Sequence, residues 1–124
     1  MGSMKAVIDS DILIDYLQGD ERSKAELAQY DDLRYSVISW MEIMAGAHTA
    51  EETGAAESLL RSMKQIDLNM GIARKAVHLR KTLKLKLPDA FILATADEEG
   101  CILVTRNTKD FRDADPRVRV PYRN

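Results

Sequence analysis

Apolar residues along the chain follow two patterns, short continuous runs and stretches with helical spacing. The short runs predict strands at residues 5–8, 33–38, 65–68, 101–105 and 118–120. The spaced stretches predict helices at residues 10–17, 21–30, 39–48, 51–63, 70–83 and 88–100. Ser39 is the predicted N-cap of the third helix, and Pro88 suits the first turn of the last one. Strands therefore alternate with helices through most of the chain.

This alternation predicts the α/β class. Several predicted strands are apolar throughout, which indicates a small parallel sheet covered by helices on both faces. The length of 124 residues is that of one domain. We expect this domain to span residues 4–124, because residues 1–3, which precede a second methionine, Met4, look like a cloning remnant.

Composition narrows the class of protein further. Hydrophobic residues make up 45% and charged residues 31%, which is typical of a soluble globular domain. The chain shows no secretory signal pattern and no apolar run near the ~18 residues of a membrane span, so we expect a cytoplasmic protein. The single cysteine, Cys101, excludes an internal disulfide framework and a cysteine-clustered zinc site.

The net charge is -2, but acidic and basic residues are unevenly distributed along the chain. Residues 1–58 carry 12 acidic and 4 basic residues, whereas residues 59–124 carry 8 acidic and 14 basic ones. Six cations and no acid lie between Arg74 and Lys86. Such asymmetry can indicate a nucleic-acid contact surface or simply a solvated helix face, and charge alone does not decide between them.

Acidic and amide side chains follow the predicted strands or begin the predicted helices. Asp9 comes directly after the first strand, Glu42 follows the second strand within a turn, and Asp89 lies at the start of the last helix. Asn107 and Asp110 follow the strand at residues 101–105. Because the carboxyl ends of parallel strands meet at one edge of a sheet, we expect these side chains to gather there.

Several carboxylates in one place repel each other unless a cation compensates them. Mg²⁺ and Mn²⁺ prefer such hard oxygen ligands, whereas Zn²⁺ favours His or Cys. The chain has only two histidines, His48 and His78, and neither is near the acidic residues in the sequence. A bound Mg²⁺ can lower the pKa of water and stabilise charge on a phosphodiester, so the pattern predicts metal-assisted phosphodiester hydrolysis.

Four segments together resemble, in order, the motifs of PIN-domain ribonucleases, with the closest likeness to VapC-type toxins of bacterial toxin-antitoxin pairs. The resemblance extends over nearly the whole chain. The segments are IDSDILIDYL at residues 8–17, SVISWME at 36–42, LPDAFILATA at 87–96 and LVTRNTKDF at 103–111.

The resemblance implies a three-layer α/β/α sandwich and a Mg²⁺- or Mn²⁺-dependent endoribonuclease that acts on structured RNA such as tRNA or rRNA. It also implies a homodimer and a VapB-like antitoxin that covers the acidic pocket. By position, Asp9 and Asp89 correspond to the principal metal ligands and Glu42 to the third carboxylate. Asn107 stands where many members have a fourth aspartate, and Asp110 is the nearest acidic substitute, so we include Asp110 among the catalytic candidates and Asn107 among the metal ligands.

Neighbouring residues receive supporting roles. We expect Asp11 to cap a helix or to accept a supporting hydrogen bond, Asp15 to be solvated or locally paired, and Thr105 to orient a ligand or water. Arg106 would either approach a phosphate or pair with the acidic residues. The RNA-binding candidates are Arg106, Lys84 and Lys86.

Two alternatives remain open from the sequence. The segment around Asp9 and Asp11 also resembles haloacid-dehalogenase-like phosphatases, in which Asp9 would be the nucleophile and Asp11 the general acid. The other alternative is a non-catalytic PIN-like module that binds RNA or a protein partner, which the asparagine at position 107 favours.

Overall fold

The computed structural model describes residues 4–123, so the predicted cloning remnant lies outside the described residues. Five strands and six helices are found in this range. In chain order they are β1 (Lys5–Ile8), α1 (Ser10–Leu17), α2 (Glu21–Leu27), β2 (Asp32–Ser36), α3 (Val37–Gly46), α4 (Ala50–Arg61), β3 (Lys64–Ile66), α5 (Met70–Leu83), α6 (Leu87–Glu98), β4 (Ile102–Val104) and β5 (Val118–Arg119).

All five strands run parallel in one sheet with the order β3-β2-β1-β4-β5. β1 lies at the centre, where Val7 pairs with Arg34 of β2 and with Leu103 of β4. Because every pairing is parallel, the carboxyl ends of the strands meet at a single edge of the sheet.

Successive side chains of the central strands enter two separate hydrophobic cores, as the pleat of a strand requires. Val7 and Leu103 pack with α5 and α6 on one face. Ile8 and Val104 pack with α1, α3 and α4 on the other face. Helices therefore cover both sides of a parallel sheet, which confirms the predicted three-layer α/β/α sandwich.

The junction between β2 and α3 differs from the prediction. The strand ends at Ser36, and the helix begins at Val37 with Ser36 as its N-cap, so the predicted cap at Ser39 is wrong. The Ser36 hydroxyl oxygen accepts a hydrogen bond from the Ile38 main-chain N–H at 3.1 Å. This cap outweighs the strand preference of the β-branched pair after it. Glu42 consequently lies in the second turn of α3.

The remaining differences are at element ends. α2 ends at Leu27 rather than at residue 30, and β3, β4 and β5 are each shorter than predicted. α5 has the predicted bounds, and its C-cap Lys84 has a positive φ of 57°, the left-handed conformation common at helix ends. In the described range no helix combines the length and apolar character needed to cross a membrane.

Candidate active site

Asp9 is the most deeply placed carboxylate at the carboxyl edge of the sheet, with 5% of its surface exposed. It follows β1 and caps α1, where its carboxylate accepts the Ser10 N–H at 2.8 Å. Thr105 directly follows β4, and its hydroxyl donates to the other carboxylate oxygen of Asp9 at 2.8 Å. Parallel pairing of β1 with β4 brings these two residues together although 96 positions separate them.

The environment of Asp9 disfavours its charged form. Burial raises the pKa of Asp9 to about 7, and the negative charges of Asp11 and Glu42 add to this effect. The hydrogen bonds from Thr105 and Ser10 oppose the rise in pKa but do not cancel it. A cation near Asp9 would therefore be strongly favourable.

Glu42 of α3 is connected to Asp9 through Ser10. The Ser10 hydroxyl donates to Glu42 Oε1 at 3.1 Å, and the same hydroxyl oxygen lies 3.5 Å from Asp9 Oδ1. The Glu42 side chain is exposed to solvent. Ser10 thus holds two predicted ligands next to each other, a role that the sequence did not reveal beyond its position between two aspartates.

Asp89 lies in the first turn of α6 at the same edge. Burial raises the pKa of Asp89, and the charges of Asp110 and Glu42 raise it further. Asp110 is held by Asn107, whose side-chain amide donates to Asp110 Oδ2 at 2.9 Å and whose Oδ1 accepts the Asp110 N–H at 3.2 Å. The Asn107 N–H in turn donates to the Thr105 hydroxyl oxygen at 3.1 Å.

We call Asp9, Glu42, Asp89 and Asp110 the acidic cluster. None of the four has an ion-pair partner among residues 4–123, where the ion pairs involve other carboxylates. Over the same range, no three His, Cys, Asp or Glu side chains are already arranged as a metal-binding group. The structure thus brings the predicted residues to one edge through pairwise contacts, and their roles stay predictions.

Arg106 forms an ion pair, but its partner is Asp15 and not a member of the acidic cluster. Its guanidinium donates to Asp15 at 2.7 and 3.1 Å, and the Tyr122 hydroxyl donates to the same carboxylate at 2.8 Å. The prediction that Asp15 is solvated or locally paired is wrong, because it is 6% exposed and its partners lie 91 and 107 residues away. No pattern in the sequence pointed to Tyr122.

Asp11 has the supporting role that we expected. One of its oxygens accepts the Ile12 N–H at 2.7 Å, and the other accepts the Arg106 N–H and lies 3.2 Å from the Thr105 hydroxyl. Burial raises the pKa of Asp11, and these hydrogen bonds oppose that rise. Asp11 thus fastens the segment after β4 to the start of α1.

Lys84 and Lys86 lie on the exposed connection between α5 and α6. The positive charge of Lys86 lowers the pKa of Asp89, although burial and the neighbouring acids outweigh it. Lys86 is therefore near the acidic cluster. The RNA-binding roles of Lys84, Lys86 and Arg106 stay predictions.

A parallel α/β/α sandwich with acidic side chains at its carboxyl edge is the architecture expected from the sequence motifs. The sequence model of the PIN domain matches residues 6–116. This chain belongs to the PIN domain family, and not to the haloacid-dehalogenase-like phosphatases considered from the sequence.

Solved structures give a more particular likeness. A chain of a toxin-antitoxin complex from Klebsiella pneumoniae is 40% identical, with a TM-score of 0.89 and coverage of 96% of this chain and 99% of that chain. FitAcB from Neisseria gonorrhoeae is 22% identical, with a TM-score of 0.79 and coverage of 95% and 98%. VapBC2 from Rickettsia felis, bound to a promoter DNA fragment, is 19% identical, with a TM-score of 0.78 and coverage of 94% and 96%.

The likeness to the two more distant complexes concerns the fold alone. No curated protein sequence matches the chain. The chain is thus a PIN domain similar to a component of a bacterial toxin-antitoxin complex.

Proposed function

We propose that this PIN domain is a metal-dependent endoribonuclease that cleaves structured RNA and acts as the toxin of a toxin-antitoxin pair. The observation that carries the proposal is the acidic cluster, whose four carboxylates lie at one sheet edge without an ion-pair partner in the described chain. Such an arrangement is tolerable when a divalent cation compensates it. The cytoplasmic location remains a prediction.

The residues present fit Mg²⁺ or Mn²⁺, because every donor in the acidic cluster is a hard oxygen. Burial is the largest cause of the raised pKa of Asp9 and of Asp89, and the negative charges of neighbouring acids raise both further. Asp9, Glu42 and Asp89 would hold the ion. When bound, it would supply an activated water and stabilise charge on the phosphodiester.

The chain's own contacts suggest how these groups are held. Thr105 fixes one oxygen of Asp9, and Ser10 fixes one oxygen of Glu42. The Asn107 side-chain amide donates a hydrogen bond to Asp110 Oδ2 and none to Asp110 Oδ1. We propose that Asp110 accepts the proton of the attacking water and that Asn107 orients the Asp110 carboxylate. Asn107 Oδ1 is a further candidate ligand of the metal ion.

The test is cleavage of total cellular RNA by the purified chain with Mg²⁺ or Mn²⁺. We expect cleavage that stops with a chelator and falls at least about a hundredfold in Asp9→Asn, a loss typical of removing a group that stabilises the transition state. Glu57→Gln is the matched control, since it makes the same acid-to-amide change on an exposed turn of α4. Mapping the cut sites would identify the RNA and the bond.

RNA binding without cleavage under any divalent metal would contradict the nuclease proposal and favour the non-catalytic module. Equal cleavage by Asp9→Asn and wild type would remove Asp9 from the site. Circular dichroism of each variant separates loss of chemistry from loss of fold.

We further propose a VapB-like antitoxin as the protein partner. An apolar groove of about 430 Å³ lies between α1, α3 and α4, lined by Ile14, Leu17 and Ile43 and bordered by Glu51 and Glu52. Such a groove suits the apolar face of a partner helix, and the two glutamates favour cations at its border.

Leu17→Arg is expected to weaken binding of the proposed VapB-like antitoxin at least about tenfold, because it places a charge in the apolar groove. Leu68→Arg is the control, as Leu68 is an exposed apolar residue between β3 and α5 that lies outside the groove. Equal antitoxin affinity of the two variants by calorimetry would place the partner elsewhere.

We also propose a homodimer. Large apolar side chains are exposed on α3, α5 and the start of α6, namely Trp40, Met41, Met70, Val77 and Leu87. Surfaces of this kind often mark protein contacts. Sedimentation analysis of the isolated chain tests this, and a monomer at micromolar concentration would contradict it.

A further inference from the structure

Beside the acidic cluster, a separate recess opens between the end of α5 and the segment after β4. We propose that this recess is a nucleotide subsite, which receives one base of a single-stranded RNA segment next to the cleaved phosphodiester while Lys84 and Arg112 bind its phosphate. The inference rests on the proposed ribonuclease function. We call this cavity the side recess; it includes Thr82, Lys84, Leu85, Phe111, Arg112 and Val118 in its lining.

The size and lining of the side recess suit a single base. Its volume is about 290 Å³, near the lower end of the roughly 300–1,000 Å³ range of small-ligand pockets. Leu85, Phe111 and Val118 give it an apolar floor that belongs to the same core as α5 and α6. A flat base can bury its faces against such a floor while its sugar and phosphate remain at the entrance.

The lining carries two cations, Lys84 and Arg112, and two acids, of which Asp110 belongs to the acidic cluster. Asp115 lies in the side recess, but its carboxylate is bound by the Arg117 guanidinium at 2.8 and 3.0 Å. Within residues 4–123, Lys84 and Arg112 take part in no ion pair and no side-chain hydrogen bond. Most other arginines, such as Arg34, Arg106 and Arg119, are bound to carboxylates. Two uncommitted cations beside a base-sized recess match a nucleotide.

The position of the side recess connects it to the chemistry. Asp110 belongs both to its lining and to the acidic cluster, where its charge raises the pKa of Asp89. A nucleotide in the side recess would therefore be joined by its own backbone to a phosphodiester at the acidic cluster. Arg106 is less suited to bind this phosphate, because Asp15 already holds its guanidinium.

The backbone at Lys84 provides a second, independent indication. Lys84 has a φ of 57°, a conformation in which glycine or asparagine is favoured over lysine. A lysine at this position is unfavourable for the fold compared with glycine. Its positive charge at the entrance of the side recess gives the lysine a function there.

The experiment measures the affinity of a short fluorescein-labelled single-stranded RNA of mixed sequence by anisotropy. A chelator is present so that binding is separated from cleavage. Three variants are compared with wild type: Lys84→Gly, Arg112→Ala and Thr82→Trp. Thr82→Trp fills the side recess without changing charge. Lys81→Ala is the matched control, because Lys81 is an exposed cation of the same helix end that does not line the side recess.

We expect Lys84→Gly and Arg112→Ala each to weaken binding roughly two- to fivefold, as losing one exposed charged contact would. Each should also reduce the slope of log affinity against log salt by about 0.7, the value for one phosphate contact to a single strand. Thr82→Trp should weaken binding with an unchanged slope. Lys84→Gly should have an equal or higher melting temperature than wild type, since glycine relieves the positive φ.

Two results would overturn the subsite. One is an RNA affinity of Thr82→Trp equal to that of wild type, which would mean that no base enters the side recess. The other is an equal loss in Lys81→Ala and Lys84→Gly, which would indicate a diffuse basic surface. If a protein segment occupied the side recess instead, all three variants would bind RNA as wild type does, which also overturns it.

The outcome is distinguishable from failure of the nuclease proposal. Cleavage of RNA by wild type with an unchanged KM in all three variants would reject the subsite and leave the ribonuclease proposal intact. Absence of cleavage, together with RNA binding that depends on Lys84, Arg112 and Thr82 as described, would retain the subsite and reject the catalytic proposal.

Discussion

Asp9 combines deep burial with close negative neighbours, and this combination has a consequence for folding. Its pKa of about 7 in the folded chain lies well above the ordinary value of 3.8. Between these two values the folded chain holds a proton that the unfolded chain has released. The free energy of unfolding contributed by Asp9 is therefore fully present below pH 3.8 and is lost as pH rises through about 7.

We predict that the metal-free chain is less stable at about pH 7.5 than at about pH 5, and that Asp9→Asn reduces this difference. The amide cannot ionise, so the variant should also be more stable than wild type at the higher pH. Urea unfolding with a chelator at both pH values measures this.

Glu57→Gln serves as the control, because Glu57 is exposed and should leave the difference between the two pH values unchanged. The raised pKa of Asp11 and of Asp89 acts in the same direction as that of Asp9, so part of the pH dependence should remain in Asp9→Asn. An identical pH dependence in wild type and Asp9→Asn would contradict the deduced state of Asp9.

At the scale of single elements, the start of α3 allows a sharp comparison between two serines of one segment. Ser36 caps the helix, and its hydroxyl oxygen accepts the Ile38 N–H. Ser39 is fully buried three residues later, and its hydroxyl has no hydrogen-bond partner in the described structure. The two hydroxyls should therefore differ in their effect on stability.

We predict that Ser36→Ala lowers the free energy of unfolding by about 1 kcal/mol, because one N–H of the first turn loses its acceptor. Ser39→Ala should be neutral or stabilising, since it removes a buried polar group that has no partner. Denaturant unfolding of both variants provides the measurement. A loss of similar size in Ser39→Ala would mean that its hydroxyl is hydrogen-bonded after all.

The same junction shows which elements the sequence could predict. Periodicity predicted both ends of α5, because its apolar positions recur at helical spacing without a competing signal. At residues 37–38, β-branched side chains favour a strand while Ser36 favours a helix start, and local preference does not say which prevails. The parallel sheet was predictable because it follows from the alternation of whole elements rather than from their exact ends.

The candidate site likewise has residues that the sequence could predict and contacts that it could not. Asp9 and Asp89 were predictable because one directly follows a strand and the other begins a helix. The contacts of Ser10 with Glu42 and of Arg106 with Asp15 were not, because they depend on packing between distant segments. Tyr122 reaches Asp15 across 107 residues, and no local pattern contains that information.

At the scale of the whole molecule, the fold brings residues of the acidic half and of the basic half of the sequence to one site. The acidic first half supplies Asp9 and Glu42, whereas the basic second half supplies Asp89, Asp110 and the cations around them. A cation at the acidic cluster would bind elements from both halves at once. Its binding energy would therefore stabilise the complete fold rather than one segment.

We predict that Mg²⁺ raises the melting temperature of wild type by mass action. When the Mg²⁺ concentration is ten times the Kd of the site, the free energy of unfolding rises by about 1.4 kcal/mol. For a chain of this size that corresponds to roughly 3–6 °C. Calorimetry or thermal denaturation in chelator and in added Mg²⁺, at matched ionic strength, measures the shift.

Asp9→Asn and Asp89→Asn should each lose most of this shift, because each removes a charged ligand candidate, whereas Glu57→Gln should retain it. Comparison with NaCl at the same ionic strength separates binding at the acidic cluster from general screening, which affects all three variants alike. If Mg²⁺ left wild type unchanged at millimolar concentration, or stabilised Asp9→Asn equally, the acidic cluster would not be a divalent-metal site.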